Sequence, residues 1–405
     1  MANPRHNNLP IHQYTFSHSD KKEIQNELRK QEEFNRIVNL SENVIDEEIK
    51  DDFLDDNLYH ISKNFVEYNI KENLSSALTE INFRDFTRLD TNVYSKIGFY
   101  AKNLEKVDFS NQLITDNVLD HITATLKKLT GLRINNCREL SNAGVQRTLN
   151  ELGDRLTDFG CAFNSSIINS DCLKGLNVSI IEILDIEECN GIGKSFFNKF
   201  VKEKHLSLVE LNFSFITSNL DSRVIGSIFT KCQKSLKSVI LKGSLLSNIS
   251  PEHFQTFGEL SKLKYLDLSF SNITNSVLSK ISFTWYDLEI LRVKSLSDIN
   301  DITLENMIKE SPRIRLIETS NNNSLTNGFL FHLSKNTIDH KLLIIINHTP
   351  GISDNVIGAV YKENENLRII RSNNTFANPG DSNLRIPLLP LNTKFAQIPP
   401  FRKKN

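Results

Sequence analysis

The chain has 405 residues, 39 % of them hydrophobic, and is therefore long enough to bury a large core. Its 48 basic and 49 acidic residues leave a net charge of −1, without the excess of positive charge that binding to nucleic acid or to an anionic membrane requires. The five cysteines are too few and too irregularly spaced for a disulfide framework, and no CxxC pair suggests zinc. We therefore expect neither a nucleic-acid partner nor a metal.

Residues 1–56 are predicted to form a charged extension with helical and extended segments. Between residues 19 and 38 the apolar residues have helical spacing but are sparse. An acidic cluster follows at 46–56, and it is either a solvated linker or a docking site for a basic partner. Because there is no signal-peptide pattern and no run of 18 apolar residues, we expect a cytoplasmic protein without membrane insertion.

A helix that caps the following domain is predicted next. Leu58, Ile61 and Phe65 recur three and four residues apart, which places them on one helical face. The first unit of a stacked array exposes an apolar surface that such a helix would cover. The domain that begins with this helix is predicted to span residues 57–372.

A pattern of three apolar residues at i, i+3 and i+5 recurs through this domain. In LKYLDL, which begins at Leu263, the last two apolar residues alternate as in a strand with one buried face. The steps between copies run from 25 to 28 residues, with a mean of about 26. Twelve copies occur, and they begin at Leu78, Leu104, Leu129, Leu156, Ile181, Leu208, Leu236, Leu263, Leu288, Ile314, Leu342 and Leu367.

Helix signals lie between the predicted strands. Segments such as ITDNVLDHI and LTNGFLFHL combine a capping residue with apolar residues three and four apart. Each unit thus has one strand face and one helix face to bury, and only a neighbouring unit can bury them. The sequence predicts an α/β solenoid of about 12 repeats, a horseshoe with a parallel sheet on its concave side and helices on its convex side.

From residue 70 to residue 375 the chain resembles the leucine-rich repeat family. Cys137 in LRINNC and Cys189 in LDIEEC are similar to the cysteine position of its cysteine-containing subclass. Members that the pattern resembles are F-box substrate receptors of ubiquitin ligases, adaptor proteins of mitotic exit, and leucine-rich subunits of the ciliary nexin-dynein regulatory complex. The resemblance implies a protein that binds other proteins and performs no chemistry on its repeats.

An F-box would be a helical segment of about 45 residues that begins near Leu-Pro, ahead of the repeats. Leu9 and Pro10 are followed by IHQYTFSH, which has no helical apolar pattern. A ubiquitin-ligase receptor with a degenerate F-box therefore remains the alternative to a scaffold. A regulator of a small GTPase would share the same fold.

Motifs for catalysis or for a cofactor are missing from the sequence. The run GIGKS, which begins at Gly191, lacks the preceding glycine of a phosphate-binding loop, and its position predicts the start of a convex helix. No HExxH, EF-hand loop, GxSxG or GxGxxG occurs, and the histidines have no ligand spacing. We therefore expect a protein without enzymatic activity and without a cofactor.

The predicted concave face becomes apolar toward the C-terminal repeats. The residue before the second apolar position of each repeat should project from this face, and it is mostly polar in the first seven repeats. In the last five it is apolar, which is typical of an interaction site. The predicted protein-binding site comprises Tyr265, Ile290, Leu316, Ile344 and Ile369, with Ile346 beside them and with Arg292 and Arg371 at the flanks.

Two other interpretations of these apolar residues remain open: a slip in register would place them in the core, and the C-terminal arm could cover them. The arm comprises residues 373–405, contains five of the ten prolines and has no helical period. It is too apolar to remain in water, so it should lie on its own solenoid or on a partner.

The sequence therefore predicts a non-enzymatic scaffold subunit of an intracellular hetero-complex that binds other proteins through its concave face and its termini. The resemblance favours a ciliary axonemal complex and hence a cytoskeletal location. The alternative is a substrate receptor of a ubiquitin ligase.

Overall fold

The structure is a computed structural model that describes residues 79–84, 91–216, 220–246, 251–296, 298–335, 340–364, 366–371 and 374–376. These residues belong to two compact units, unit 1 within Met1–Asn177 and unit 2 within Val178–Asn405. The predicted N-terminal extension (1–56) and the capping helix lie outside the described residues. The same holds for the predicted C-terminal arm apart from residues 374–376.

Unit 1 alternates short strands with helices. Its four described strands are β1 (Glu80–Asn82), β2 (Lys106–Asp108), β3 (Gly131–Arg133) and β4 (Asp158–Gly160). Its described helices are α1 (Thr91–Tyr100), α2 (Asp116–Thr125) and α3 (Asn142–Leu152). Neighbouring strands pair in parallel in the order β1-β2-β3-β4.

Unit 2 repeats the same alternation more often. Its strands are β5 (Ile183–Asp185), β6 (Glu210–Asn212), β7 (Ser238–Ile240), β8 (Tyr265–Asp267), β9 (Ile290–Arg292), β10 (Leu316–Glu318), β11 (Leu342–Ile345), β12 (Leu367–Arg371) and β13 (Asn374–Phe376). Its described helices are α4 (Lys194–Lys202), α5 (Ser222–Lys231), α6 (Pro251–Gly258), α7 (Asn275–Leu278), α8 (Asp301–Ile308), α9 (Asn327–Lys335) and α10 (Asp354–Glu363). Strands β5 to β12 are parallel in chain order, and β13 pairs with β12 in antiparallel orientation.

The predicted fold class is confirmed. Twelve parallel strands with interleaved helices form the leucine-rich repeat solenoid, with one strand from each of about 12 repeats. The GIGKS segment leads into helix α4, whose N-cap is Gly193. Between β4 and β5 the chain forms turns, and buried Cys172 and Leu173 take the place of helix residues there.

The three apolar positions of the repeat form the core between the sheet and the helices. In the repeat that begins at Leu263, all three leucines have an exposed fraction of 0 %. Large aromatic side chains fill the space between successive helices, and the Phe257 and Trp285 rings meet edge to face, 5.2 Å apart. The indole N–H of Trp285 donates to the Phe257 carbonyl (3.0 Å), so this buried polar group has a partner.

A buried side chain links each of several repeats to the backbone of the preceding one. Cys137 Sγ lies 3.1 Å from the Phe109 carbonyl oxygen, and Asn322 Nδ2 lies 2.8 Å from that of Val293. The same repeat position carries a donor to a carbonyl group of the preceding repeat in six repeats. These donors are Gln112, Cys137, Asn164, Ser244, Asn322 and Thr349. Cysteine, asparagine and serine can replace one another here because each offers a small hydrogen-bond donor to a buried carbonyl group.

Candidate protein-binding face

The open face of unit 2, which is the face of its sheet opposite the described helices, carries a cluster of apolar side chains. Parallel register brings Tyr265 of β8 beside Ile290 of β9, and Ile290 beside Leu316 of β10. These are three of the residues predicted from the sequence. The whole cluster, called the apolar stripe below, consists of Ile240, Tyr265, Ile290, Leu316, Leu343 and Ile345.

The side chains of the apolar stripe are nearly inaccessible to water. None of the six is more than 9 % exposed, and Ile290 and Leu316 are both at 0 %. Ile183 and Ile370 pack against the cluster and remain partly exposed. The stripe thus buries apolar surface on the side of the sheet where the described part of the chain has no helix.

Ile344, Ile346 and Ile369 are not part of this face, and their predicted place in the binding site is wrong. Ile344 pairs in register with Ile317, a core position, and all three isoleucines have an exposed fraction of 0 %. The strand of repeat eleven is LLII, followed by Ile346, so every position is apolar and the alternation that assigns a face is lost. The residues on the open face are Leu343 and Ile345.

Arg371 also lies elsewhere than predicted. Its guanidinium group donates from Nη1 to the Ile352 carbonyl (2.6 Å) and to Asp354 Oδ1 (2.9 Å), and from Nη2 to the Thr349 carbonyl (3.3 Å). These partners belong to the loop and helix that follow β11. Arg371 therefore holds the last repeats together and does not flank the apolar stripe.

Arg292 does flank the stripe, as predicted, within a row of charged side chains that we call the charged row. Its guanidinium group lies over the Tyr265 ring (5.9 Å to the centroid), and its Nε is 3.4 Å from Glu318 Oε2. Lys294 Nζ lies 2.9 Å from Glu318 Oε1. Asp267 belongs to the same row and pairs in register with Arg292. Charges of both signs thus border the apolar surface.

Burial in this row changes the acid-base behaviour of two side chains. The pKa of Tyr265 is raised strongly, because burial disfavours the phenolate and Asp267 lies nearby. Burial also raises the pKa of the Asp267 carboxyl, against the opposing influence of Lys242 and Arg292. The row is therefore a desolvated environment, which strengthens every electrostatic interaction within it.

Carboxylates gather at the other end of this face, in β5 and β6 and the turn after β5. Asp185, Glu187 and Glu210 are each at most 5 % exposed. Asn212 Nδ2 donates to Asp185 (3.0 Å) and to Glu187 (2.9 Å), and Lys242 Nζ lies 3.3 Å from Glu187 Oε1. We call these three carboxylates the acidic end.

Two phenylalanines form an accessible edge beside the charged row, which we call the aromatic rim. Phe215 and Phe270 have backbone φ angles of 55° and 61°, in the left-handed region that costs a bulky residue about 1–2 kcal/mol. Phe270 is 49 % exposed, and Phe215 is partly exposed. Lys242 lies over the Phe215 ring (5.6 Å to the centroid) and Lys294 over the Phe270 ring (5.9 Å).

Between the two phenylalanines the same repeat position is occupied by Gly243. Its φ is also positive, and a Cβ atom there would lie 2.2 Å from the Phe215 ring. The sequence analysis did not identify the rim. The signal was a phenylalanine two residues after the last core residue of the strand, as in FSF from Phe213 and LSF from Leu268.

The described part of the chain contains no cluster of three or more histidine, cysteine, aspartate or glutamate side chains arranged to hold a metal ion. Its five cysteines are buried, and burial raises the pKa of the Cys137 thiol to about 12. Within the same described ranges, every helix is too short or too polar to cross a lipid bilayer.

Comparison with known proteins supports the fold. No protein-family model matches the chain, and no curated protein matches its sequence significantly. Among solved structures, a chain of the Rad7 and Elc1 complex of yeast is similar over 90 % of this chain and 97 % of its own length, with 15 % identity and a TM-score of 0.62. A chain of the TLR13–ssRNA13 complex is more distant: the match covers 73 % of this chain and 41 % of that one, with 18 % identity and a TM-score of 0.41.

Proposed function

We propose that the chain is a non-enzymatic, protein-binding subunit of a larger assembly, and that its partner binds the open face of unit 2. The observation that carries this proposal is the apolar stripe. The fold requires apolar residues between the sheet and the helices, but it places no such requirement on the opposite face of the sheet. Stacking therefore does not explain the continuous row of apolar side chains there, and we attribute it to contact with an apolar surface of a partner.

The aromatic rim supports the same location. The positive φ belongs to the turn of the repeat, since Asn111, Phe163 and Ser295 have it as well. What distinguishes Phe270 is a half-exposed aromatic ring that a partner can reach. Phe270 also lies under Lys294, which itself contacts Glu318 of the charged row. An aromatic ring with cations beside an apolar surface is the composition that protein interfaces favour.

A double substitution of the rim tests the proposal. Phe215→Asn with Phe270→Asn removes both rings and installs the residue that tolerates positive φ best after glycine, as at Asn321 in the same repeat position. We expect thermal stability to be unchanged or slightly higher, while recovery of the partner from cell extract, quantified by mass spectrometry after crosslinking, falls at least tenfold, a loss of about 1.4 kcal/mol.

Ile302→Asn is the matched control, since Ile302 is 68 % exposed but lies on helix α8. The control variant should recover the same proteins as the native chain. Equal recovery by the rim variant and the control would rule out the rim as a contact surface.

The identity of the assembly distinguishes two versions of this function. A ciliary or other cytoskeletal complex is suggested by the sequence resemblance alone. A ubiquitin-ligase receptor is suggested by that resemblance and by the similarity to a chain of the Rad7 and Elc1 complex. Copurification with an Elc1-type or Skp1-type partner would favour the receptor, and copurification with detergent-extracted cytoskeleton would favour the scaffold.

A further inference from the structure

We propose that the partner of unit 2 presents an acidic segment, and that the carboxylates of this segment bind a basic edge beside the apolar stripe. The basic edge lies where strands β7 to β10 begin, and it comprises Lys237, Lys262, Lys264, Arg313 and Arg315. The inference rests on the proposed function, since it states the chemistry of the partner that the open face would bind.

Backbone hydrogen bonds between neighbouring repeats bring the charged residues of this edge together. The N–H groups of Lys264 and Tyr265 both donate to the Lys237 carbonyl (2.8 and 3.0 Å). One strand further, Glu289 donates to the Lys264 carbonyl, and Arg315 then donates to that of Glu289, both at 2.9 Å. The charged residues of repeats seven to ten therefore follow one another along the edge, about 4.8 Å apart from strand to strand.

Two carboxylates lie within the edge, and cations from the repeats on both sides share each of them. The four ion pairs are Lys262 with Asp287 (3.7 Å), Arg313 with Asp287 (2.9 Å), Lys264 with Glu289 (3.2 Å) and Arg315 with Glu289 (2.8 Å). With Lys237, five cations thus stand beside two carboxylates, so these seven residues have an excess of three positive charges.

The cations face solvent more than the carboxylates do. The side chains of Lys262 and Arg313 are 57 % and 66 % exposed, while that of Asp287 between them is 19 % exposed. The same order holds around Glu289. An ammonium group has three N–H donors and a guanidinium group has five, so each cation keeps donors for a further acceptor. The outer surface of the edge is therefore positive and suited to carboxylates.

The basic edge and the apolar stripe adjoin each other. Tyr265 of the stripe directly follows Lys264 in sequence, and Leu316 directly follows Arg315. Consecutive Cα atoms are about 3.8 Å apart, so one extended segment can contact both surfaces. A segment with apolar side chains over the stripe and acidic side chains over the edge would match both in polarity and in charge.

A nucleic acid fits this surface less well than an acidic protein segment does. A phosphate backbone is charged along its whole length. The basic edge, in contrast, is bordered by the apolar stripe, and Asp267 and Glu318 of the charged row lie on the other side of that stripe. The acidic end lies on the same face. A polypeptide can place acidic side chains on the edge and keep them away from these carboxylates.

Fluorescence anisotropy with a labelled peptide tests the inference on the full-length chain. The probe is a six-residue peptide of alternating glutamate and leucine. It is long enough, since the edge spans three strand spacings, about 14 Å, and an extended chain rises about 3.3 Å per residue. A peptide of alternating lysine and leucine has the same apolar side chains and the opposite charge. We expect a Kd at least tenfold lower for the acidic peptide, and we expect that Kd to rise with salt.

A double substitution locates the binding surface. Lys237→Gln with Arg313→Gln removes two exposed cations of the edge and leaves Asp287 paired with Lys262. The variant should raise the Kd of the acidic peptide at least threefold and make it less sensitive to salt, because fewer charges attract the probe.

Lys202→Gln with Arg223→Gln is the matched control. The two residues lie on helices α4 and α5, and Arg223 is 68 % exposed with an ion pair of 2.9 Å to Asp221, closely similar to Arg313. The control should bind the acidic peptide as the native chain does. Equal binding by the edge variant and the control, or equal binding of the two peptides by the native chain, would overturn the inference.

Carbodiimide crosslinking keeps the test valid if the edge variant misfolds, as judged by circular dichroism. The reagent forms an amide bond between a carboxylate of the bound peptide and a lysine amine of the native chain, so it requires no substitution. We expect the crosslinks at Lys237, Lys262 and Lys264, identified by mass spectrometry. Crosslinks concentrated at other lysines would place the peptide elsewhere and contradict the inference.

Two other occupants would give different results, and either would overturn the inference. If a single-stranded oligothymidine of equal charge binds more tightly than the acidic peptide and loses affinity in the edge variant, the edge binds nucleic acid. If sedimentation shows a dimer that the edge variant abolishes, a second copy of the chain lies there.

Failure of this inference and failure of the proposed function are distinguishable. Loss of the partner in the rim variant, without binding of the acidic peptide, would retain the proposed function and reject an acidic partner. Equal recovery by the rim variant and its own control would reject the proposed location of the partner, whatever the peptide does.

Discussion

The open faces of the two units differ in chemistry, although both units are built from the same repeat. In unit 1 the face carries charged pairs between neighbouring strands: Arg133 Nη2 lies 2.8 Å from Asp158 Oδ1, and Lys106 Nζ lies 3.5 Å from Glu80 Oε1. In unit 2 the corresponding positions of β8 to β11 are apolar, and a charged row borders them. The helix-facing positions are apolar in both units.

This difference separates what the fold requires from what it permits. Stacking of repeats demands apolar residues between the sheet and the helices, and strands β1 to β12 supply them. Nothing in the stacking constrains the opposite face, so its composition reflects other interactions. The apolar open face of β8 to β11 is therefore a feature of unit 2 that the stacking of repeats does not explain.

The largest effect is expected from a charge at the core position of repeat eleven. Ile344→Asp buries a carboxylate between the sheet and the helices and should lower the free energy of unfolding by at least about 4–5 kcal/mol. Ile345→Asp, one residue further on the open face, should cost clearly less because no described helix packs over that face. Urea unfolding of the two variants checks the register, and the reverse order would contradict it.

A large effect is also expected at the charged pair of unit 1. Arg133→Ala leaves Asp158, which is 3 % exposed, without its 2.8 Å partner and should cost about 3–4 kcal/mol. Replacing both residues, Arg133→Met with Asp158→Leu, should recover most of the loss because no buried charge remains. If the double variant is as unstable as the single one, the pair is held by more than mutual charge neutralisation.

Substitutions at the repeat position that donates a hydrogen bond to the preceding repeat should have an intermediate effect on stability in both units. Asn322→Ala in unit 2 removes a donor to the Val293 carbonyl and an acceptor for the Leu296 N–H (2.7 Å), at a cost of about 2–3 kcal/mol. Cys137→Ala in unit 1 removes only a weak thiol donor and should cost about 1 kcal/mol. Thermal unfolding of both variants measures the difference, and equal costs would mean that the amide makes no greater contribution than the thiol.

The smallest effect concerns the pH dependence of the charged row. Because burial raises the pKa of Asp267 in the folded chain above its ordinary value, the folded state retains the proton more strongly than the unfolded state. Its contribution to stability is therefore present at acid pH and is lost as pH rises through the folded pKa. Asp267→Asn should gain stability relative to the native chain as pH rises from about 4 toward 7.

Urea midpoints of the two chains, measured over this pH range, check the prediction. A gap between the native chain and Asp267→Asn that stays constant with pH would show that the carboxyl has an ordinary pKa. A gap that widens toward acid pH would show that neighbouring cations lower it.

Half of the predicted site residues lie on the open face, and the misplacement of the others has a physical cause. Tyr265, Ile290 and Leu316 could be placed on the open face because each directly precedes a core residue, and successive strand residues point to opposite faces. The strand of repeat eleven is entirely apolar, and Ile369 and Ile370 are adjacent in repeat twelve, so a shift of one residue keeps an apolar residue at the predicted position but exchanges the two faces of the sheet. Only pairing with β10 decides between Ile344 and Ile345.

The aromatic rim could not be recognised in the same way, because its distinctive property is a backbone angle. A phenylalanine after a strand suggests a core residue, yet Phe270 is forced outward by its positive φ. That angle follows from the turn, in which the Phe270 N–H donates to the Lys294 carbonyl of the next repeat (2.8 Å). The sequence contains no local signal for a hydrogen bond to a residue 24 positions away.

By itself, the sequence determined the repeat, the fold class and the order of the strands, because burial of one strand face and one helix face imposes a pattern that recurs with every unit. Only the tertiary structure decided which isoleucines lie on the open face, which groups Arg371 binds and how deeply the apolar stripe is buried. These depend on register, on hydrogen bonds between repeats and on side-chain packing between neighbouring strands. All three are relations between residues far apart in the chain, and a local pattern does not record them.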